Sequence, residues 1–185
     1  MSRWEPNARG RLEQAALALY RERGFEQVTV AEIAGRAGLT ERTFFRHYAD
    51  KREVLFAGSA ALQESLVTAV AAAPAAATPL GAVVAALEAV GEQFDARREL
   101  ARQRQVVIEA NRELRERELV KLATLADALA AALRGRGVAA PAADLAAEVG
   151  IALFKVAFVR WVGDDGGKLA AHVRAAFADL RDGLR

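Results

Sequence analysis

The sequence predicts an all-α protein, with an N-terminal three-helix helix-turn-helix unit, a C-terminal helical bundle and about nine helices in total. Apolar residues recur at spacings of three and four along almost the whole chain. No segment shows the sustained alternation of apolar and polar residues that is typical of a strand. Capping residues, glycines and prolines divide the helical pattern at intervals. We therefore expect two domains, residues 1–50 and residues 51–185.

The first domain contains three short predicted helices. The first covers residues 8–23 and is followed by a glycine, which is a common helix-ending residue. Thr29 and Glu32 have the spacing of a capping box, which predicts the start of a second short helix. Thr40 is a predicted N-cap for a third helix over residues 41–48. Two short helices joined by a tight turn are typical of the helix-turn-helix motif.

The third predicted helix has two distinct faces on a helical wheel. Phe44 and Tyr48 fall together, one turn apart, and should face the core. The opposite face carries two guanidinium groups, a hydroxyl group and an aromatic edge, from Arg42, Arg46, Thr43 and Phe45. Arginine recognises guanine in the major groove, and an aromatic edge can contact a thymine methyl group. This face predicts base recognition in duplex DNA, with His47 and Lys51 placed at the rim for phosphate contacts.

Charge supports a local basic patch and not a broad basic surface. Residues 1–55 hold ten Lys and Arg against eight Asp and Glu, whereas residues 56–185 hold sixteen of each sign. The formal excess of +2 therefore lies entirely in the N-terminal third. Affinity for DNA must then come from a few well-placed side chains.

Composition and motifs argue against catalysis. The chain has no Cys and only two His, His47 and His172, which lie far apart in the sequence. It shows no Gly-rich phosphate loop, no Glu-x-x-His metal pair and no Gly-x-Ser-x-Gly nucleophile motif. We expect a protein that is not an enzyme, with no metal and no cofactor.

Residues 9–56 resemble the DNA-binding domain of the TetR family of bacterial repressors. The resemblance is carried by the motifs Gly24-Phe25, Thr29-Val30-Ala31-Glu32-Ile33-Ala34, Ala37-Gly38-Leu39, Phe44-Phe45-Arg46-His47-Tyr48 and Lys51-Arg52-Glu53-Val54-Leu55. It implies that eight residues contact DNA, namely Thr29, Thr40, Arg42, Thr43, Phe45, Arg46, His47 and Lys51. The family often has Tyr where this chain has Phe45 and an aromatic residue where it has Arg46, so its base preference should differ.

The resemblance also implies that the last two helices pair with a second subunit. The predicted helix over residues 142–162 is apolar nearly all round, and such a helix must be covered on both sides. The predicted helix over residues 168–184 has a narrower apolar stripe, like a seam between helices. The expected dimer-interface residues are Phe158, Trp161, Val173, Phe177 and Leu180. The alternative is the ordinary core of a monomer.

The middle helices are expected to enclose a small-molecule pocket, again by resemblance. The expected ligand-binding residues are Leu62, Leu66, Phe94, Arg104, Val107, Asn111, Phe154 and Phe158. Because most of them are apolar, we expect a lipophilic effector. A predicted fourth helix over residues 51–72 would connect the first domain to this pocket.

The protein is expected to be cytoplasmic and not bound to a membrane. Residues 1–7 are polar and lack the apolar core of a signal peptide. Residues 65–87 carry no charge, but they are rich in Ala and are interrupted by Pro74 and Pro79, which favours two helices joined by a turn.

Together these features predict a homodimeric transcription regulator that binds a palindromic double-stranded operator. We expect a repressor that is released from the operator by a small lipophilic effector. Two alternatives remain open at this stage: a helical adaptor that does not bind DNA, and a DNA-binding regulator that needs no ligand.

Overall fold

The structure is a computed structural model, and it describes residues 7–184. Across this range the chain forms nine α-helices and no strand, which confirms the predicted all-α class. The helices are α1 (Ala8–Arg23), α2 (Val30–Arg36), α3 (Glu41–His47), α4 (Ser59–Ala71), α5 (Pro79–Asp95), α6 (Arg98–Glu109), α7 (Arg112–Gly135), α8 (Ala140–Gly163) and α9 (Leu169–Gly183).

The chain divides into two compact units. The N-terminal unit runs to Gly58 and also includes Gln103–Glu118. The C-terminal unit contains Ser59–Arg102 and the chain from Leu119 onwards. Helices α6 and α7 each contribute residues to both units, so the boundary between units is not a single position in the sequence. A functional division into residues 1–50 and 51–185 remains a proposal.

The starts of α2, α3 and α5 follow the capping residues that the sequence provides. Thr29 and Glu32 form the predicted capping box, with the Thr29 side chain accepting from the Glu32 N–H. Thr40 caps α3, and Thr78 caps α5 immediately before Pro79. In each case a hydroxyl oxygen satisfies an N–H group that has no partner within the helix.

The predicted fourth helix over residues 51–72 is wrong in its first turns. Residues Glu53–Phe56 form a 3-10 turn, residues 57–58 break the helix, and α4 begins only at Ser59. Asp50 does accept hydrogen bonds from the N–H groups of Arg52 and Glu53. The Glu53 carboxylate accepts a hydrogen bond from the Arg117 side chain at 2.7 Å, so it is bonded to a residue far along the chain.

In the N-terminal unit α1 packs on α2, α2 packs on α3, and α1 also contacts the 3-10 turn. Residues 103–118 join this unit through charged hydrogen bonds. Arg52 bonds Glu113 at 2.6 Å, and the Arg104 Nε atom donates to the Leu55 carbonyl oxygen at 2.6 Å. The 3-10 turn is therefore contacted by α1 and bonded by Arg104 of α6 and Arg117 of α7.

In the C-terminal unit α5 is the central helix, because it contacts α4, α8 and α9. Helices α8 and α9 also pack against each other. Close packing depends on Gly91 and Gly150. A Cβ atom at Gly91 would lie 3.0 Å from the main-chain nitrogen of Ala170 in α9. A Cβ atom at Gly150 would overlap the buried side chain of Val83 in α5.

We expect Gly150→Ala to destabilise the protein by about 1–3 kcal/mol, even though Ala favours helix more than Gly. The reason is the overlap with Val83, a stiff β-branched side chain that cannot turn away freely. Thermal unfolding measures the effect. Gly135→Ala is the control, because a Cβ atom there meets nothing within 4 Å.

The double variant Val83→Ala with Gly150→Ala removes the overlap. It should be more stable than the sum of the two single changes predicts. Strict additivity would contradict the assigned contact between α5 and α8.

One described stretch, Glu53–Ala71, has the length and apolar composition of a membrane span, and 28% of it is buried. The break at residues 57–58 divides this stretch into the 3-10 turn and α4. Residues 65–87, considered above as a span, are likewise divided between α4 and α5, as predicted.

Candidate nucleic-acid interface

Helix α3 is fixed by its buried face. Phe44 is fully buried and Tyr48 is 4% exposed. The Tyr48 hydroxyl donates to the Glu13 carboxylate of α1 at 3.0 Å, and burial raises the pKa of Tyr48, which keeps it a neutral donor. The rings of Phe44 and Tyr48 pack 5.5 Å apart, between centroids. The exposed face of α3 therefore projects from a packed support.

The exposed face contains the residues that were predicted to contact bases. Arg42 and Arg46 are exposed, and the Phe45 side chain is 55% exposed. A shallow concavity is lined by Thr40, Arg42, Thr43, Phe45 and Arg46. The structure thus brings five of the eight expected DNA-binding residues onto one open surface.

Arg42 and Arg46 differ from most arginines of the N-terminal unit. Within residues 7–184 neither side chain makes a hydrogen bond or an ion pair. By contrast, Arg23 pairs with Glu32 at 2.5 Å and Arg36 pairs with Glu22 at 2.8 Å. A guanidinium group without a protein partner keeps all five donors available for guanine or phosphate.

The two hydroxyl groups on this surface are partly used by the helix itself. Thr40 Oγ1 accepts from the Thr43 main-chain N–H at 3.2 Å, and the two threonine hydroxyl oxygens lie 3.1 Å apart. Each hydroxyl still has capacity for a contact outside the protein. His47 is exposed at the C-terminal end of α3, beside the Tyr48 ring.

Thr29 lies at the start of α2 and does not line the concavity. Its hydroxyl bonds the Glu32 carboxylate at 2.9 Å, and its N–H donates to the same group at 2.8 Å. The bond from the Thr29 N–H, together with Arg23, lowers the pKa of Glu32 to about 2. A carboxylate that stays charged at this helix start disfavours a phosphate there.

Lys51 does not line the concavity either. Its ammonium group donates to three main-chain carbonyl oxygens in the segment between α1 and α2. A lysine held in this way is not a free cation at the rim. The sequence motif identified Lys51 as a residue of interest, but only the fold shows what its side chain contacts.

The expected ligand-binding residues are divided between the two units. Arg104, Val107 and Asn111 belong to the N-terminal unit, whereas the other five belong to the C-terminal unit. The two polar residues of this set, Arg104 and Asn111, already form hydrogen bonds within the protein. Arg104 bonds Leu55 and Glu118, and the Asn111 side chain accepts from main-chain N–H groups at the start of α7. Leu66 is fully buried in the core.

Three of the expected ligand-binding side chains do lie together in the C-terminal unit. Phe94, Phe154 and Phe158 are half-buried, and each ring lies within 6.3 Å of the other two, between centroids. Trp161 completes this aromatic cluster, 5.5 Å from Phe158.

Two of the expected dimer-interface residues are buried within the chain itself. Trp161 and Val173 are both fully buried. The Trp161 indole N–H donates to the Asp95 carboxylate at 3.1 Å, and the same oxygen accepts the Leu169 N–H at 3.0 Å. These two residues are therefore core residues, and their assignment to the dimer surface is corrected. Phe158, Phe177 and Leu180 remain half-buried.

The sequence prediction missed the exposed apolar face of α8. Leu145 is 67% exposed, Val156 is 45% exposed and Val159 is 57% exposed. The exposed Ala152 and the half-buried Val149, which also packs against the core, complete a stripe at alternating spacings of four and three, which we call the α8 stripe. The spacing of this stripe can be read from the sequence. However, apolar residues lie on nearly every side of α8, so the sequence does not show which of them are exposed. Only packing shows which side is covered.

Comparisons with known proteins agree with this structure. Residues 13–57 match the model of the family described as bacterial regulatory proteins, tetR family. The HTH-type transcriptional regulator TcmR of Streptomyces glaucescens is 39% identical over 82 residues, which is 44% of this chain and 36% of TcmR. The chain thus matches only about a third of the length of that relative.

Two solved structures match over nearly the whole chain. Thermus thermophilus FadR, a TetR family repressor in complex with lauroyl-CoA, is 25% identical with a TM-score of 0.57, and the match covers 96% of this chain and 95% of FadR. The fatty acid degradation regulator FadR of Bacillus halodurans has the same fold, at 20% identity, with a TM-score of 0.64 and 98% of each chain covered. The helix-turn-helix motif, the family model and these matches together show that the chain belongs to the TetR family of bacterial regulators.

Proposed function

We propose that the protein is a sequence-specific transcription regulator that reads double-stranded operator DNA with the exposed face of α3. The proposal rests on one observation: Arg42 and Arg46 project unpaired from a helix whose other face is buried. Free guanidinium groups on a rigid support suit bidentate contacts to guanine. Thr40, Thr43, Phe45 and His47 would contact the neighbouring bases and phosphates.

Selection of bound fragments from random duplex DNA tests this function directly. We expect enrichment of one palindromic sequence, with an affinity that falls steeply as the salt concentration rises. A helical adaptor has no reason to present Arg42 and Arg46 on one face, and it would enrich no sequence. Failure to enrich any sequence at low salt would rule out the proposal in favour of the adaptor.

We further propose that the α8 stripe, together with Phe177 and Leu180 of α9, is the surface through which two subunits pair. A two-fold dimer places the same stripe on both sides of the interface. Two copies of α3 would then meet half-sites about 34–36 Å apart, or a multiple of that spacing. The palindromic operator follows from this symmetry.

The effector is proposed to be a small lipophilic molecule that contacts the aromatic cluster. Two facts support this: the cluster is apolar and half-buried, and the matching Thermus thermophilus FadR was solved with lauroyl-CoA. We propose that the effector releases a cytoplasmic repressor from its operator. The domain of residues 1–50 would read DNA, and residues 51–185 would bind the effector and the second subunit.

Thermodynamic linkage tests the switch. A compound that raises the melting temperature should weaken operator binding by about 5–150-fold, and the operator should weaken binding of the compound by the same factor. Phe154→Ala should reduce binding of the compound and leave operator affinity unchanged. Equal affinity for the compound with and without operator would favour a regulator that needs no ligand.

A further inference from the structure

Lys51 has an unusually complete set of contacts for a lysine. Its Nζ atom lies 2.9 Å from the Phe25 carbonyl oxygen, 3.2 Å from that of Glu26 and 2.9 Å from that of Val28. An ammonium group has three N–H donors and no acceptor. Each donor therefore has a carbonyl partner, and all three partners lie in the short segment that connects α1 to α2.

The same residue is held by two aromatic side chains. The ammonium group lies 4.5 Å from the centroid of the Phe25 ring, which adds a cation–π contact. The Tyr20 hydroxyl donates to the Lys51 carbonyl oxygen at 2.7 Å. Tyr20 is only 3% exposed, and burial raises its pKa, so the hydroxyl stays neutral and keeps donating.

The segment that Lys51 holds has little structure of its own. It begins at Gly24, which has a positive φ of 82°, and it contains no helix before α2 starts at Val30. Its backbone would otherwise have more conformational freedom, and freezing a loop is entropically costly. The Lys51 side chain bonds the carbonyl oxygens of Phe25, Glu26 and Val28. These bonds fix the path of the main chain into α2.

We propose that Lys51 is a positioning residue for the helix-turn-helix, and not a phosphate contact. It fixes the segment from Phe25 to Val28, and thereby the start of α2. Because α2 packs on α3, the start of α2 sets the position of the exposed face of α3. To donate to a phosphate, Lys51 would have to give up at least one of its three hydrogen bonds to carbonyl oxygens. This inference rests on the proposed DNA-binding function, but the contacts themselves exist in the protein without DNA.

Thermal unfolding of the DNA-free protein tests the contacts. We expect Lys51→Met to lower the melting temperature by roughly 4–8 °C, because three main-chain carbonyl oxygens lose their hydrogen-bond donor. Lys51→Arg should also lower it, since a planar guanidinium group cannot place three donors as an ammonium group does. Lys168→Met is the matched control, because Lys168 is exposed and makes no capping bond. A wild-type melting temperature for either Lys51 variant would overturn the proposal.

Operator binding at several salt concentrations separates the two roles. A phosphate contact contributes about 0.9 to the slope of log affinity against log salt. We expect Lys51→Met to bind more weakly with the wild-type slope, and a slope reduced by about one would overturn the proposal. If the wild-type protein binds no duplex, the proposed DNA-binding function fails. The melting experiment then still decides whether Lys51 fixes the segment before α2.

Discussion

Val156→Glu should convert the protein to a monomer and abolish specific operator binding. Val156 is 45% exposed within the α8 stripe, with Ala152 and Val159 one turn away on either side. In a two-fold interface two new carboxylates would be buried, one from each subunit. Burying charges without partners costs several kcal/mol, so the dimer dissociation constant should rise by at least about 10³-fold.

The loss of operator affinity follows from the loss of the second half-site. A monomer keeps α3 intact but contacts only one half of the palindrome, so affinity should approach that for non-specific DNA, about 10³-fold weaker or more. Sedimentation measures the oligomeric state, and a fluorescence binding assay with the selected operator measures the affinity.

Ala131→Glu is the control for this experiment. Ala131 is an exposed residue of α7 in the same unit, outside the α8 stripe. The new carboxylate there stays in water, so the dimer and operator binding should be retained. A Val156→Glu protein that still sediments as a dimer would show that the subunits pair through another surface.

Arg42→Ala and Arg46→Ala should each weaken binding to the selected operator by about 1–3 kcal/mol, or about 5–150-fold, if each contacts a base. The base preference should relax at one position of each half-site, because the bidentate partner of a guanine is removed. Both side chains are exposed and unpaired within the described chain, so the melting temperature should not change.

Arg36→Ala is the matched control for these two variants. Arg36 belongs to the same helix-turn-helix and is also exposed, but its guanidinium group pairs with Glu22 at 2.8 Å. We expect it to keep the full base preference, since a paired surface arginine contributes little by itself. If both Arg42→Ala and Arg46→Ala keep the wild-type preference, the exposed face of α3 does not read bases.

The sequence predicted the secondary structure and the exposed face of α3 because both depend on local chemistry. The Thr29 and Thr40 caps are bonds within one helical turn, so they can be read from neighbouring residues. Phe44 and Tyr48 share a face by helical periodicity, and their burial follows from their apolar rings. Helical periodicity likewise places Arg42 and Arg46 on the opposite, exposed face of α3.

The fourth helix shows where local reasoning stops. The 3-10 turn at Glu53–Phe56 is contacted by α1, and it is tied to residues 103–118 through Arg104 and Arg117. These partners are about 50 to 60 residues away in the sequence. Asp50 accepts hydrogen bonds from neighbouring N–H groups, which is local chemistry, but the Glu53 carboxylate bonds Arg117, which is distant in the sequence.

The sequence by itself determined the helical class, the helix-turn-helix, and the two arginines that α3 presents. Only the tertiary structure decided that Lys51 binds carbonyl oxygens of another segment, that Trp161 and Val173 are core residues, and that the α8 stripe is exposed. The physical reason is that periodicity gives the angular position of a side chain on its own helix. Which side of an apolar helix such as α8 is covered depends on where α5 and α9 pack, and on glycines such as Gly91 and Gly150 that allow the helices to approach.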